Sequence, residues 1–242
     1  MSLIKEIKSQ INSFSDLEKA KILSKYFQAF PGGYGENDTF LGISVPTLRK
    51  IATKYYKACD LNIVSELLSS GIHEYRNVAL MILIKLNLEP SVKADFYLQN
   101  IEYINNWDLI DGTAPDILGT YLYSLDEENQ KQILLPLIIS SNIWHKRIAM
   151  MSTFYFIKKN EFNLTLKVAK LLLEEKHQIV QKSVGWMLRE IGKRHYDLEL
   201  DFLKNNIEDI YPIAFSYAIE KFSLESKESI KNLRNNSIKK TN

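Results

Sequence analysis

Tyr75-Arg76-Asn77-Val78-Ala79-Leu80-Met81 is echoed at His145-Lys146-Arg147-Ile148-Ala149-Met150-Met151 and again at Gln181-Lys182-Ser183-Val184-Gly185-Trp186-Met187. An apolar residue followed by a small one falls at 78/79, 148/149 and 184/185, each time with a base two positions before the pair. The offsets are 70 and 36 residues, and 70 is twice 35, which places a fourth register near Thr113-Ala114. Repeats of about 34–47 residues, each a helix pair, are the mark of TPR, HEAT and armadillo-type solenoids. The repeat therefore reads as an all-α protein, an α-solenoid.

The rest of the chain agrees. Trp144, Ile148, Met151 and Tyr155 recur at spacings of 4, 3 and 4, a single apolar stripe on a helix. Asp60, Asp126 and Asn142 read as N-caps, and Pro90 suits a first helical turn. The periodicity predicts about thirteen or fourteen helical segments of about 10–17 residues and no strand. Nine Gly and six Pro in 242 residues are about half the usual share, too few for the tight turns of an all-β protein. The single Cys59 excludes an internal disulfide framework and a multi-Cys zinc site. Charges at Lys5, Glu6 and Lys8 break any secretory h-region, and the strictly apolar runs 78–84 and 133–139 are far too short to span a membrane. The expectation is a cytoplasmic protein. It has one domain over residues 1–225 and a terminal helix or frayed polar tail over 226–242.

A net charge of +2 hides a strong asymmetry. Residues 89–139 carry nine acids and two bases, whereas 140–195 carry eleven bases and four acids. Such a basic segment reads either as solvated helix faces or as a surface for a polyanion. The repeat also sets Arg76, Lys146 and Lys182 in one column, with Asp111 in the intervening repeat. That carboxylate is either an inter-repeat salt-bridge partner or a functional acid kept ionised by cations. Other chemistries find no footing. The four histidines, His73, His145, His177 and His195, have no metal-ligand spacing, so no metal or other cofactor is expected. Pro31-Gly-Gly-Tyr-Gly-Glu36 lacks both phosphate-binding glycine spacings, and no nucleophile signature accompanies a Ser or Cys.

Trp107 and Asp111 are i, i+4 and share a helix face, as do Trp186 and Glu190. A Trp at helical spacing is ordinarily core, but Trp107, Asp111, Arg147 and Trp186 fall in one register of three successive repeats. Here the chain resembles the HEAT-like-repeat DNA alkylation repair family, the AlkD-type alkylpurine DNA glycosylases. The resemblance is carried, in order, by Tyr34-Gly-Glu36 with Asp38-Thr-Phe-Leu-Gly-Ile-Ser-Val-Pro-Thr-Leu-Arg-Lys50, and by Ile72-His-Glu-Tyr-Arg76. It continues through Ile104-Asn-Asn-Trp-Asp-Leu-Ile-Asp111, Asn142-Ile-Trp-His-Lys-Arg147 and Val180-Gln-Lys-Ser-Val-Gly-Trp-Met-Leu-Arg-Glu190.

The resemblance implies a right-handed α-solenoid, a superhelix of HEAT-like helical pairs whose concave basic groove cradles duplex DNA. It implies a monomeric, monofunctional glycosylase that hydrolyses the N-glycosidic bond of cationic alkylpurines such as N7-alkylguanine and N3-alkyladenine, without drawing the base into a deep pocket. Residue by residue, Asp111 matches the catalytic carboxylate, Trp107 and Trp186 the aromatics that pack on the lesion's sugar, and Arg147 the phosphate-contacting arginine. Tyr26 matches an N-terminal aromatic at the same cleft. With the column of bases, Tyr26, Arg76, Lys146 and Lys182 become the expected nucleic-acid-binding side chains. One departure stands out, because the family places arginines before a Tyr-Ala-Ile-Glu stretch and residues 210–216 hold no base ahead of Tyr217-Ala-Ile-Glu220. The competing readings are a non-catalytic relative that binds damaged or branched DNA, and a helical-repeat scaffold for a protein partner.

Overall fold

The computed structural model describes the backbone of residues 2–241 and side chains through residue 237. Its α-helices are α1 (Leu3–Asn12), α2 (Leu17–Tyr26), α3 (Val45–Tyr55), α4 (Leu61–Leu68), α5 (His73–Lys85), α6 (Pro90–Gln99), α7 (Trp107–Asp111) and α8 (Thr120–Tyr123). They continue as α9 (Glu127–Ile138), α10 (Ile143–Ser152), α11 (Phe154–Lys158), α12 (Asn163–Leu171), α13 (Gln178–Gly192), α14 (Tyr196–Asn205), α15 (Pro212–Ala218) and α16 (Leu224–Thr241). Among the described residues, β pairing is limited to one isolated parallel bridge between Thr39 and Ile72, so the chain is all-helical. No helix among the described residues is long and apolar enough to cross a membrane. The chain divides into two compact units, Met1–Tyr121 and Leu122–Asn242.

The N-caps form as the sequence suggests. Asp60 accepts from the Ile63 amide, Asp126 from Asn129 and Asn142 from Trp144, each satisfying an orphan first-turn donor. The helices are often shorter than periodicity alone predicts, for a local reason. After α7 the chain meets Gly112, then Thr113, whose hydroxyl donates to the Leu109 carbonyl at 2.5 Å, and then Pro115, which has no amide to donate. The backbone continues as a π-helical turn over Pro115–Gly119. A second break separates α10 from α11 at Thr153, whose hydroxyl donates to the Met150 carbonyl at 2.7 Å.

The repeat registers are packing positions. In the first unit α5 is the central helix, with α3 and α4 against it. Every residue from His73 to Leu80 is buried, charged ones included. In the second unit α13 is central, packed by α10, α14 and α15. Val78, Ala79, Ile148, Ala149 and Val184 are all fully buried, each large apolar side chain contributing about 1.5–3 kcal/mol of transfer free energy. Gly185 shows why the second position of each pair is small, since a Cβ there would collide with the Ala214 carbonyl and with Cβ of Tyr217 on α15.

Candidate active site

The residues around α7 make the most distinctive arrangement of the first unit. Asn106 caps the helix by accepting from the Trp107 amide at 2.8 Å. Trp107 and Asp111 stand at its two ends, four positions apart and on one face. The Trp107 indole N–H donates to the Tyr34 hydroxyl at 3.2 Å, and that hydroxyl donates to the Tyr26 carbonyl at 3.4 Å. The Tyr26 ring meets the Trp107 ring edge-on, centroids 5.9 Å apart, and remains 62% exposed. Phe27 backs the indole at 5.1 Å. Asp111 is half-buried, and burial together with the nearby Asp111 charge pushes the Tyr97 phenol far above its ordinary value.

Beneath α7 lies a buried polar cluster. His73, 3% exposed, bridges two carboxylates, with Nδ1 3.1 Å from Asp38 and Nε2 2.8 Å from Asp108. Arg76 bonds the other Asp38 oxygen at 2.5 Å and also reaches Asn105 Oδ1 at 2.5 Å and the Tyr103 carbonyl at 3.3 Å. The Asn106 amide reaches Asp38 at 3.4 Å, and Asn77 reaches Asp108 at 3.4 Å. Burial alone would depress the His73 pKa, but the hydrogen bonds to Asp108 and Asp38 outweigh it and raise the group from 6.5 to about 9. Asp38 stays ionised despite burial, because His73 and Arg76 hold it below the usual carboxylate range. The imidazole stacks on Phe40 at 4.5 Å and on Phe27 at 5.3 Å. Two cations and two carboxylates thus balance inside the unit. Glu74 stands apart from that balance, its carboxylate accepting from the amides of Leu41, Gly42 and Ile43.

Asp38, His73 and Asp108 are each 35 residues apart, the period that the repeat shows. Asp38 lies in the loop before α3, His73 opens α5 and Asp108 is the second residue of α7, so acid, base and acid meet from three separate segments. None of the three was singled out for function by sequence reasoning, which weighed the histidines only as metal ligands. The 35-residue period was the signal that could have found them. Beside the cluster a cleft of about 290 Å³ is lined by Ile22, Tyr26, Phe27, Phe40, His73 and Asp108 among others. Among the described residues, no three His, Cys, Asp or Glu side chains are grouped to hold a metal ion.

Arg76 differs from expectation. Expected on a DNA face, it is 4% exposed with its guanidinium turned onto protein oxygens. A buried cation needs paired acceptors, and Asp38 and Asn105 supply them.

In the second unit, Arg147 is also buried, at 5% exposure, and donates to the Ile179 carbonyl at 2.5 Å. It ties α10 to the first turn of α13 rather than reaching solvent. Lys146 pairs with Glu175, which this contact holds below its ordinary pKa against the effect of burial. Lys182 and Trp186 are half-buried on α13. The Trp186 indole N–H donates to Glu190 at 3.1 Å, and Lys193 and Arg194 pair with the same carboxylate. The base-free stretch before Tyr217 is covered by an arginine from α16. Arg234 donates to the Ile210 carbonyl at 2.6 Å and lies 4.6 Å over the Phe215 ring.

The sequence profile of the family described as "DNA alkylation repair enzyme" matches residues 7–222. The chain belongs to the DNA alkylation repair enzyme family. The resemblance to the DNA alkylation repair family read from its motifs is thereby borne out. Among solved structures, the chain is similar to a protein described as a predicted DNA alkylation repair enzyme from Enterococcus faecalis. That likeness has a TM-score of 0.65 and 17% identity over 87% of this chain and 97% of the other. It is similar too to AlkD2 from Streptococcus mutans, with a TM-score of 0.55 and 22% identity over 85% and 97% of the two chains. A third likeness is to smu.31 of Streptococcus mutans UA159, at 0.55 and 20% identity over 84% and 98%. At these identities the likeness is one of fold. No curated protein matches.

Proposed function

We propose that this DNA alkylation repair enzyme is a monofunctional glycosylase that hydrolyses the N-glycosidic bond of cationic alkylpurines, N7-alkylguanine and N3-alkyladenine, in duplex DNA. The observation that carries the reading is α7 itself, a one-turn helix with Trp107 at one end, Asp111 at the other and the exposed Tyr26 ring beside the indole. A cationic base is already a good leaving group, so the enzyme's task is to stabilise the oxocarbenium character that develops on the deoxyribose. A preorganised Asp111 carboxylate does this and orients the attacking water. Electron-rich Trp107 and Trp186 faces add cation–π stabilisation of about 0.5–2 kcal/mol each, depending on desolvation.

The reading takes residues 1–225 as one right-handed HEAT-like solenoid, acting as a monomer, whose basic groove receives the duplex. Residues 140–195, with eleven bases and four acids, supply the positive surface. In this reading Lys182 and Lys146 contact phosphate, and Arg147 orients the helix that carries Lys182 and Trp186. Incubation with a duplex carrying one N7-methylguanine, against a no-enzyme control for spontaneous loss, tests the proposal. Base release above background is expected, and Asp111→Asn should abolish it while duplex binding persists. Unchanged release by that variant would remove Asp111 from the chemistry. Salt-dependent binding without release by the wild type would instead favour a non-catalytic DNA binder.

A further inference from the structure

We infer that Asp38, His73, Asp108 and Arg76 form a positioning clamp that sets the orientation of α7, and with it the relation of Trp107 and Asp111 to the lesion. The inference rests on the glycosylase reading and names the device that aims its site.

Three observations carry it. First, a helix of one turn, bounded by Gly112 and Pro115, has too few internal hydrogen bonds to hold its own direction. Its orientation must come from outside. Secondly, the contacts of the cluster converge on the segment leading into α7. Arg76 holds the Tyr103 carbonyl and the Asn105 side chain, Asp38 accepts from the Asn106 amide, and His73 holds Asp108. Asp108 is the second residue of α7 and Asn106 is its cap. Thirdly, the clamp is largely buried and charge-balanced. The side chains of Asp38, His73 and Arg76 are 2–5% exposed and that of Asp108 is 15% exposed. Removing one member therefore leaves an uncompensated buried charge instead of a water-filled gap. Groups this deep need not touch DNA to matter, since a misplacement of about 1 Å at a reacting centre can cost about 100-fold in rate.

The experiment uses the full chain labelled with ¹⁵N in its indole groups, and compares wild type, His73→Gln, Asp108→Asn and the double variant. Gln at 73 removes the cation, and Asn at 108 restores charge balance and leaves an amide pair across the gap. In His73→Gln the Trp107 indole N–H resonance should move while that of Trp186 stays. The single-turnover rate of N7-methylguanine release should fall about 10- to 100-fold, with the duplex dissociation constant within about threefold. The double variant should recover the Trp107 resonance and most of the rate. Wild-type rate and an unmoved Trp107 signal in His73→Gln would overturn the clamp. If His73→Gln fails to fold, Asp108→Asn, which keeps the Asp38–His73 pair, is held to the same shift of Trp107 and fall in rate. If wild type releases no base, the glycosylase reading fails, and the Trp107 resonance alone decides whether the clamp aims α7.

Discussion

Two buried acids, one in each unit, meet opposite fates. In the first, Asp38, His73, Asp108 and Arg76 are brought together so that each carries an opposite partner. In the second, Glu199 is 2% exposed with no hydrogen-bond partner for Oε1, while Oε2 fills the space that a Cβ at Gly192 of α13 would take. Arg189, whose charge lowers the Glu199 pKa, is itself paired with Glu220. Burial prevails, and Glu199 rises from 4.5 to about 8. A buried acid stays ionised where cations hold it, as at Asp38, and keeps its proton where burial prevails, as at Glu199. The first solution builds a rigid cluster near the candidate site, and the second leaves an ordinary helix contact sensitive to pH.

The largest effect that breaks this comparison is expected from Asp38→Ala. It removes the partner of two buried cations and should cost about 3–5 kcal/mol, read from urea unfolding at pH 7. Next comes Glu199. With a folded pKa near 8 above an unfolded value near 4.5, the native state retains a proton that the unfolded state releases. That contribution is fully present below pH 4.5 and is lost as pH rises toward 8, a change of about 2–4 kcal/mol. Urea unfolding at pH 5 and pH 8 should show a larger loss in wild type than in Glu199→Gln, which retains only the His73 part of it; equal losses in both would place the charge elsewhere. His73 has a different window. Its contribution is complete below pH 6.5 and disappears as pH rises through about 9, so Glu199→Gln should leave this alkaline loss intact. The smallest effect sharpens the picture on the side of α7. Tyr34→Phe deletes the acceptor of the Trp107 indole N–H and should cost about 0.5–1.5 kcal/mol, together with a shift of the Trp107 indole resonance.

Much of the fold was legible in the sequence because helix periodicity and caps act within a few residues. The apolar–small pairs at 78/79, 148/149 and 184/185 mark where central helices are crossed, and Gly185 against Ala214 gives the steric reason. The pairing of Trp107 with Asp111 was equally legible, since i, i+4 geometry follows from the helix alone. The fates of Arg76 and Arg147 were not. A basic column in sequence does not say whether a guanidinium turns outward to phosphate or inward to a carboxylate. Arg76 turns onto Asp38 and Arg147 reaches the Ile179 carbonyl, each more than thirty residues away. The absence of bases before Tyr217 likewise did not disclose Arg234, which reaches that stretch from a helix further along the chain.

By itself the sequence determined an all-helical chain with a 35-residue period, its capped helix starts, and a family membership carried by motifs spread along nearly its whole length. Those properties rest on local backbone energetics and on the spacing of residue types. Only the tertiary structure decided that Asp38, His73 and Asp108, each 35 residues apart, meet in one ion-paired cluster, and that Glu199 lies buried with no hydrogen-bond partner for Oε1. Burial and distance in space set the sign and strength of every charge interaction, and neither quantity exists until the helices have packed.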